Sequence, residues 1–208
     1  MIAGDDPTRV RAGGPMVALV CRDLASGDTV HESTNPDTAP RGGPPDEATR
    51  ARIVRLAFGS DEQRYEQFLA ALREVTPPDV EVILRGSAVT GTRWADGQPF
   101  DIDGPGTSDL DITFLGREML KFWDSFYIPG LHTVPLSDEH PDASKTFTPL
   151  RRALCTLAGR PVNLQASAGM VQFARDVLFD QPYVTLIERR ESRDDDGDEA
   201  HRDADGEQ

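Results

Sequence analysis

The feature that most constrains the fold is a pair of strand patterns separated by a glycine–serine break. The first is the short apolar run Val82–Leu84, whose β-branched residues and following turn signal predict a buried strand. Gly86 and Ser87 interrupt it. The second is Asp109–Leu115, in which polar and apolar residues alternate strictly. The sequence therefore predicts two strands linked through a bend.

The alternation divides the second strand into two faces, because side chains i and i+2 of a strand share a face. Leu110, Ile112 and Phe114 are predicted to point into the core. The opposite face then carries Asp109 and Asp111, whose Cα atoms are about 7 Å apart by strand rise. Two carboxylates at this spacing repel each other unless a cation lies between them. We therefore predict a cation site there.

A Gly-Ser pair after one strand, followed by Asp-x-Asp on the next, resembles the nucleotidyltransferases of the DNA polymerase β superfamily, especially their small "minimal" members. The resemblance implies an α+β nucleotidyltransferase fold, in which helices flank a small mixed β-sheet. It implies that Gly86 lets the backbone approach a triphosphate and that Ser87 binds the phosphates at a helix start. It also implies that Asp109 and Asp111 hold divalent metal.

The resemblance further implies a cofactor and a substrate. Oxygen ligands shared with phosphate suit Mg²⁺, with Mn²⁺ as the alternative. The expected reaction moves an NMP group from an NTP, most simply ATP, to a hydroxyl of a small molecule or a protein. The alternative is a catalytically weak nucleotide-binding or toxin–antitoxin-type module. Small members of the family often work beside a helical partner protein, so the resemblance admits such a partner for this chain.

The segment Arg160–Gln165, predicted as a third strand, departs from the family pattern. Family members usually carry a third acid there, and the matching residue in this chain is Asn163. An amide cannot take up the proton of an attacking hydroxyl, although its carbonyl oxygen can bind a metal. Three explanations stay open: a base from elsewhere, an acceptor acidic enough to need none, or a domain with little chemistry. The candidates for another base are Asp101, Asp103, His132 and Asp138.

The connection between Ser87 and Asp109 is longer than is usual in the family. Its surplus, residues 93–106, is rich in turn formers and is predicted to be a surface loop beside the site. A calcium loop starting at Asp101 is excluded, because its twelfth position is Ile112 instead of glutamate. Phosphate binding also requires cations. The candidates near the predicted cleft are Arg85, Arg93, Lys145, Arg151, Arg152 and Arg160.

Composition indicates where the folded domain begins and ends and which classes of partner are unsuitable. Residues 1–45 are predicted to be mostly disordered. For the apolar piece Met16–Cys21 two interpretations stay open, a short edge strand or a start of translation at Met16. Residues 46–189 are predicted to form the nucleotidyltransferase-like domain, and residues 190–208 a disordered acidic tail. The net charge of −14 argues against nucleic acid as a partner. No apolar run is long enough for a membrane span and no signal core is evident, so a cytoplasmic location is expected.

Local patterns predict several helices. One begins at Asp46 and ends at Gly59, and the next is predicted to begin with a capping box at Ser60. Further helices are predicted after Gly116 and from Thr148 to Gly159. The segment from Tyr127 to Ser144 is predicted to be irregular. It carries His132 and His140, for which a role outside metal binding is expected because no third ligand accompanies them.

Overall fold

The computed structural model describes residues 42–173 and 181–190. The predictions for residues 1–41, including the edge strand at Met16–Cys21, and for the acidic tail beyond Arg190 fall outside these ranges. Gly42 and Gly43 exchange backbone hydrogen bonds with Tyr183 and Thr185, so regular contacts begin before Asp46. In the described part of the chain, no helix combines the length and apolar character that crossing a membrane requires.

Six strands form one mixed sheet with helices beside it, which confirms the predicted α+β class. The strands are β1 (Glu81–Arg85), β2 (Leu110–Leu115), β3 (Phe126–Ile128), β4 (His132–Thr133), β5 (Val162–Ser167) and β6 (Tyr183–Ile187). Across the sheet their order is β3-β4-β5-β2-β1-β6. β2 and β5 are parallel, whereas the other neighbours are antiparallel. The helices are α1 (Glu47–Phe58), α2 (Glu62–Val75), α3 (Ser87–Thr90), a 3₁₀ helix (Arg117–Phe122), α4 (Thr148–Ala158) and α5 (Met170–Phe173).

Helix α1 has the two ends that the sequence predicts. At its start, the Asp46 carboxylate accepts a hydrogen bond of 2.8 Å from the Thr49 amide. At its end, Gly59 adopts the left-handed conformation with φ 63°, which glycine tolerates without a steric penalty. The predicted start of α2 was wrong by one residue. Asp61, and not Ser60, caps the helix, because its carboxylate accepts a hydrogen bond of 3.0 Å from the Arg64 amide.

The main core confirms the predicted faces of β2. Leu110, Ile112 and Phe114 are buried and pack with apolar residues of α1, α2 and α4. On the opposite face Thr113 is also buried and accepts a hydrogen bond from Gln165 on β5. Asp111 therefore shares its face with a buried polar pair, at the end of β2 where the sheet opens to solvent.

The region after β2 differs from the sequence prediction in two ways. The predicted helix after Gly116 is a short 3₁₀ helix that ends when Trp123 becomes extended, and the chain continues into β3. The segment predicted as irregular contains the end of β3, all of β4 and a bridge between Leu136 and Leu164 on β5. Strands of two or three residues are too short to produce a readable alternation. They are stabilised by pairing, because β3 pairs with β4 and β4 pairs with β5.

Candidate functional site

A glycine bend closes the carboxyl end of β1. Gly86 has φ 92° and ψ −164°, a combination that is essentially restricted to glycine. Ser87 then starts α3, a single helical turn that ends at Gly91. The antiparallel register sets Arg85 opposite Asp111, and a Cβ atom added to Gly86 would lie 3.5 Å from Asp111 Oδ2. The bend therefore lies beside the second acid.

Asn163 joins the two acids from the other side. In the parallel register of β2 and β5, Asn163 is the neighbour of Asp111. Its Nδ2 atom donates to Asp109 Oδ2 at 2.6 Å and to Asp111 Oδ1 at 3.1 Å. Carboxylates only accept hydrogen bonds, so the amide presents its NH₂ group to the acids. The structure thus brings together the predicted residues Gly86, Ser87, Asp109, Asp111 and Asn163.

The pair of acids carries an electrostatic penalty. Asp109 is exposed as a residue, but the protein around its carboxyl displaces water and raises its pKa, and the neighbouring charge of Asp111 raises the pKa further. The hydrogen bond from Asn163 and the positive charge of Arg85 oppose this rise. Arg85 Nη2 lies 3.9 Å from Asp111 Oδ2, and its Nη1 donates to Gln181 Oε1 at 3.1 Å. The site therefore contains one guanidinium beside two carboxylates.

An open cleft of about 440 Å³ reaches the site. Four of its lining residues are acidic, and the one basic residue among them is Arg93. Of the predicted site residues, Ser87, Asp109 and Asn163 line the cleft, whereas Asp111 lies behind them against Gly86. The lining residues are Ser87, Arg93, Asp103, Thr107, Ser108, Asp109, Pro135, Ser137, Asp138, Glu139, Pro161 and Asn163.

The candidate bases separate into two groups. Asp103 and Asp138 line the cleft, each paired with an arginine: Asp103 with Arg93 at 3.0 Å and Asp138 with Arg151 at 2.7 Å. His132 is absent from that lining, because β4 buries it beside the ring of Phe173. Asp101 is also absent from the cleft lining, because its carboxylate is bound to Arg160.

Arg160 holds the loop 93–106 against the domain. Its guanidinium donates to both carboxylate oxygens of Asp101, at 2.9 and 3.1 Å, and to the backbone carbonyls of Leu56, Ala57 and Ser108. The same guanidinium lies 4.5 Å from the ring centre of Phe100. Arg160 is therefore a structural residue, and its donors are not available to a phosphate.

Hydrogen bonds also account for the acidity of Asp101. Burial by itself would raise the pKa of this carboxyl. Hydrogen bonds from the Arg160 side chain and from the amides of Gly106 and Ser108 outweigh burial, so the pKa is below its ordinary value. Asp101 thus acts as the anchor of the loop.

The other predicted cations have different surroundings. Arg93 pairs with Asp96 and Asp103 at the mouth of the cleft. Arg151 donates to the Val162 carbonyl and to Asp138. Lys145 and Arg152 are exposed and form no ion pair with the residues that the structure describes. Arg85 is thus the candidate cation nearest to the acid pair.

Two contributors were not anticipated from the sequence. Gln181 orients Arg85, and Glu139 adds an acid to the cleft. Nothing local marks either of them: Gln181 is 96 residues from Arg85, and Glu139 follows the bridge of Leu136 to β5. His140 lines a separate pocket with Tyr127.

Residues 42–173 and 181–190 contain no group of three or more His, Cys, Asp or Glu side chains arranged to hold a metal ion. The polar side chains that meet at this point are two carboxylates and one amide. A scan against protein-family models and a search of curated proteins both give no match to this chain.

Proposed function

We propose that this chain is a nucleotidyltransferase that binds an NTP with a divalent cation and transfers the NMP group to a hydroxyl of a small molecule or a protein. One observation carries most of the support: strand pairing brings the bend at Gly86 and Ser87 against Asp109, Asp111 and Asn163. We also propose that the mixed sheet has the nucleotidyltransferase fold.

The side chains at this point fit Mg²⁺ or Mn²⁺. Asp109 and Asp111 both reach a single atom, Asn163 Nδ2, at 2.6 and 3.1 Å, so an ion near that position would be within reach of both carboxylates. A half-turn of the Asn163 amide would offer its carbonyl oxygen as well. All these ligands are oxygens, as such ions require, and water and phosphate would supply the others. When bound, the cation would neutralise charge on the phosphates and on the attacking and leaving oxygens.

The chain's own residues suit the remaining tasks. Ser87 lines the cleft together with Asp109, and its hydroxyl would bind a phosphate oxygen. Arg93 at the mouth would attract the triphosphate, for which ATP is the expected example. An acceptor hydroxyl would pass its proton to Asp103 or Asp138, which line the same cleft, or would need no base if it were already acidic.

Asn163 supports a second candidate function, in which the domain binds a nucleotide but catalyses little. Its amide occupies the place beside the two acids where a proton acceptor would lie, and an amide cannot accept the proton. Such a domain would act through a partner, in a toxin–antitoxin-type pair with a helical protein. Nucleic acid is an unsuitable partner for either function, because the chain carries a net charge of −14 and the cleft contains four acids. The cytoplasmic location stays a prediction.

Transfer assays on the full-length chain test both functions. Each α-labelled NTP is incubated with Mg²⁺ and candidate acceptors, and released pyrophosphate and transferred label are measured. We expect Asp109→Asn and Asp111→Asn to reduce transfer by roughly a hundredfold or more, because each removes a preorganised charge. Asp79→Asn, an exposed change in the turn before β1, is the control and should leave the rate unchanged.

The variant Asn163→Asp separates the two functions. It restores a group that can accept a proton, so a rate limited by the missing base should rise by about a hundredfold. Nucleotide binding by the wild-type chain without transfer would favour the second function. A chain that neither binds nor transfers any NTP would contradict both.

A further inference from the structure

A second groove, of about 740 Å³, lies between α2 and β6 and shares no lining residue with the cleft. Its lining has the opposite balance of charge from that of the cleft, where four acids accompany one arginine. The charged side chains that line it are four arginines and two glutamates: Arg50, Arg73, Arg189, Arg190, Glu66 and Glu188. We call it the basic groove.

Three of the four arginines lack a carboxylate partner. Arg50 pairs with Glu66 at 2.9 Å, so its charge is balanced within the domain. Arg73, Arg189 and Arg190 are exposed and form no ion pair with any residue that the structure describes. In a chain with 36 acidic and 22 basic residues, three such arginines are a local reversal of charge. The basic groove therefore attracts an anionic ligand.

The basic groove also has an apolar part. Leu186, Ile187 and Pro45 line it and are half-buried. Tyr65 lines it as well, but this side chain is only 2% exposed and the guanidinium of Arg50 lies 5.2 Å from its ring centre. Single-stranded nucleic acid stacks its bases on open aromatic rings, and the groove offers none. Aliphatic surface beside arginines suits a peptide that contains both carboxylates and aliphatic side chains.

We infer that the basic groove binds an acidic segment of a partner protein, in which aliphatic residues stand among the carboxylates. The carboxylates would accept hydrogen bonds from Arg73, Arg189 and Arg190, whose forked donors match their geometry. The aliphatic side chains would cover Leu186 and Ile187 and remove their surface from water. This binding is independent of the proposed transfer reaction, because none of these residues lines the cleft.

The chain's own acidic residues beyond Arg190 match the groove less well. Residues 191–208 are rich in aspartate and glutamate but contain no apolar residue larger than alanine. Such a segment could neutralise the arginines, but it could not cover the apolar part. The groove therefore favours a partner segment that supplies both kinds of side chain.

Binding of short labelled peptides to the full-length chain tests the inference. The probe is a fluorescein-labelled peptide in which glutamate and valine alternate, and fluorescence anisotropy measures its affinity. The comparison probes are a glutamate–serine peptide, a lysine–valine peptide and an oligothymidylate, all of the same length. We expect the glutamate–valine peptide to bind roughly tenfold or more tightly than each of the others, because it alone supplies both charge and apolar surface.

Variants at exposed positions locate the binding. The groove variant replaces its three arginines without partners: Arg73→Gln, Arg189→Gln and Arg190→Gln. An exposed ion pair contributes at most about fivefold to an affinity, so the three together should weaken peptide binding by roughly tenfold or more. The control variant removes the same charge at exposed positions outside the groove: Arg55→Gln, Arg117→Gln and Arg152→Gln. The control should bind the peptide as the wild type does, and melting temperatures confirm that both variants fold.

Any of five results would overturn the inference. Equal affinity of the groove variant and the wild type would place the peptide elsewhere on the chain. A glutamate–serine peptide that binds as tightly as the glutamate–valine peptide would show that charge alone is recognised, and tighter binding of the oligothymidylate would assign the groove to nucleic acid. Peptide binding only after Asp194→Asn, Asp195→Asn and Asp196→Asn would show that the chain's own acidic segment fills the groove. Absence of binding to every form would contradict the inference directly.

Discussion

The side-chain amide of Asn163 donates a hydrogen bond of 2.6 Å to Asp109 across the parallel pair of β2 and β5. The same nitrogen bonds to Asp111, so one neutral group links two carboxylates whose charges repel each other. Although Asp109 is exposed as a residue, partial desolvation of its carboxyl and this repulsion raise its pKa. The ionised carboxylate of Asp109 therefore lowers the free energy of unfolding at neutral pH.

Replacing Asp109 by asparagine should stabilise the fold and remove the proposed cation binding. The substitution eliminates the repulsion with Asp111 but leaves a carbonyl oxygen that can accept from Asn163. Because Asp109 is exposed and water screens the repulsion, the expected gain at neutral pH is at most about 1 kcal/mol, or a rise in melting temperature of no more than roughly 2–4 °C. Urea unfolding without divalent cations measures the gain. Asp79→Asn should change neither quantity, and a less stable Asp109→Asn chain would show that the carboxylate supports the fold instead.

The backbone conformation of Gly86 predicts that any side chain at this position lowers the free energy of unfolding. With φ 92° and ψ −164°, alanine at this position should lose about 1–3 kcal/mol of unfolding free energy, because this region is almost closed to other residues. The matched control is Gly97→Ala. Gly97 has φ 70° and no heavy atom within 4 Å of an added Cβ, so its cost should be only about 1 kcal/mol. Equal losses in denaturant unfolding would contradict the special role of the bend.

Arg160 should be the most sensitive basic residue near the cleft. Its side chain is only 7% exposed and bonds to Asp101 and three carbonyl groups. Arg160→Met leaves the carboxylate without its partner, a change that typically costs about 3–5 kcal/mol. Arg160→Lys keeps the charge but lacks the forked donors, so it should recover only part of the loss. Arg152→Met, on the exposed side of α4, should be neutral in the same denaturation experiment.

The sequence predicted those parts of the site that depend on local pattern. The alternation of β2 determines which side chains share a face, so both acids could be placed on one face in advance. Gly86 indicates a backbone conformation that other residues rarely adopt, so the bend could be predicted as well. The donor role of Asn163 could not, because it depends on the register between strands more than 50 residues apart. The ion pair between Asp101 and Arg160 could not be predicted for the same reason, because the two residues are 59 positions apart in the sequence.

The two shortest strands were not predicted, for a different reason. β3 and β4 contain only three and two residues, and pairing stabilises them: β3 pairs with β4, and β4 pairs with β5. The acids of the cleft wall beyond them, Asp138 and Glu139, could not be placed before β4 and the bridge at Leu136 were known.

The contribution of Asp101 to stability should depend on pH with a definite sign. Its pKa in the folded chain is below the ordinary value for aspartate, which is about 3.9 in the unfolded chain. The folded state therefore favours the ionised form, so the contribution is complete above the unfolded pKa and is lost as pH falls through the folded pKa. We expect the difference in unfolding free energy between wild type and Asp101→Asn to be constant above about pH 5 and to shrink below about pH 4.

Urea unfolding of both chains between pH 3 and pH 7 measures this difference. Asp103→Asn is the control, because Asp103 is 72% exposed and its ion pair with Arg93 lies on the surface, where such pairs contribute at most about 1 kcal/mol. In the Arg160→Met background, Asp101→Asn should lose most of its pH dependence, since the guanidinium is the main side-chain partner that favours the carboxylate. A difference that stays constant down to pH 3 would mean that the shape of Asp101, and not its charge, holds the loop in place.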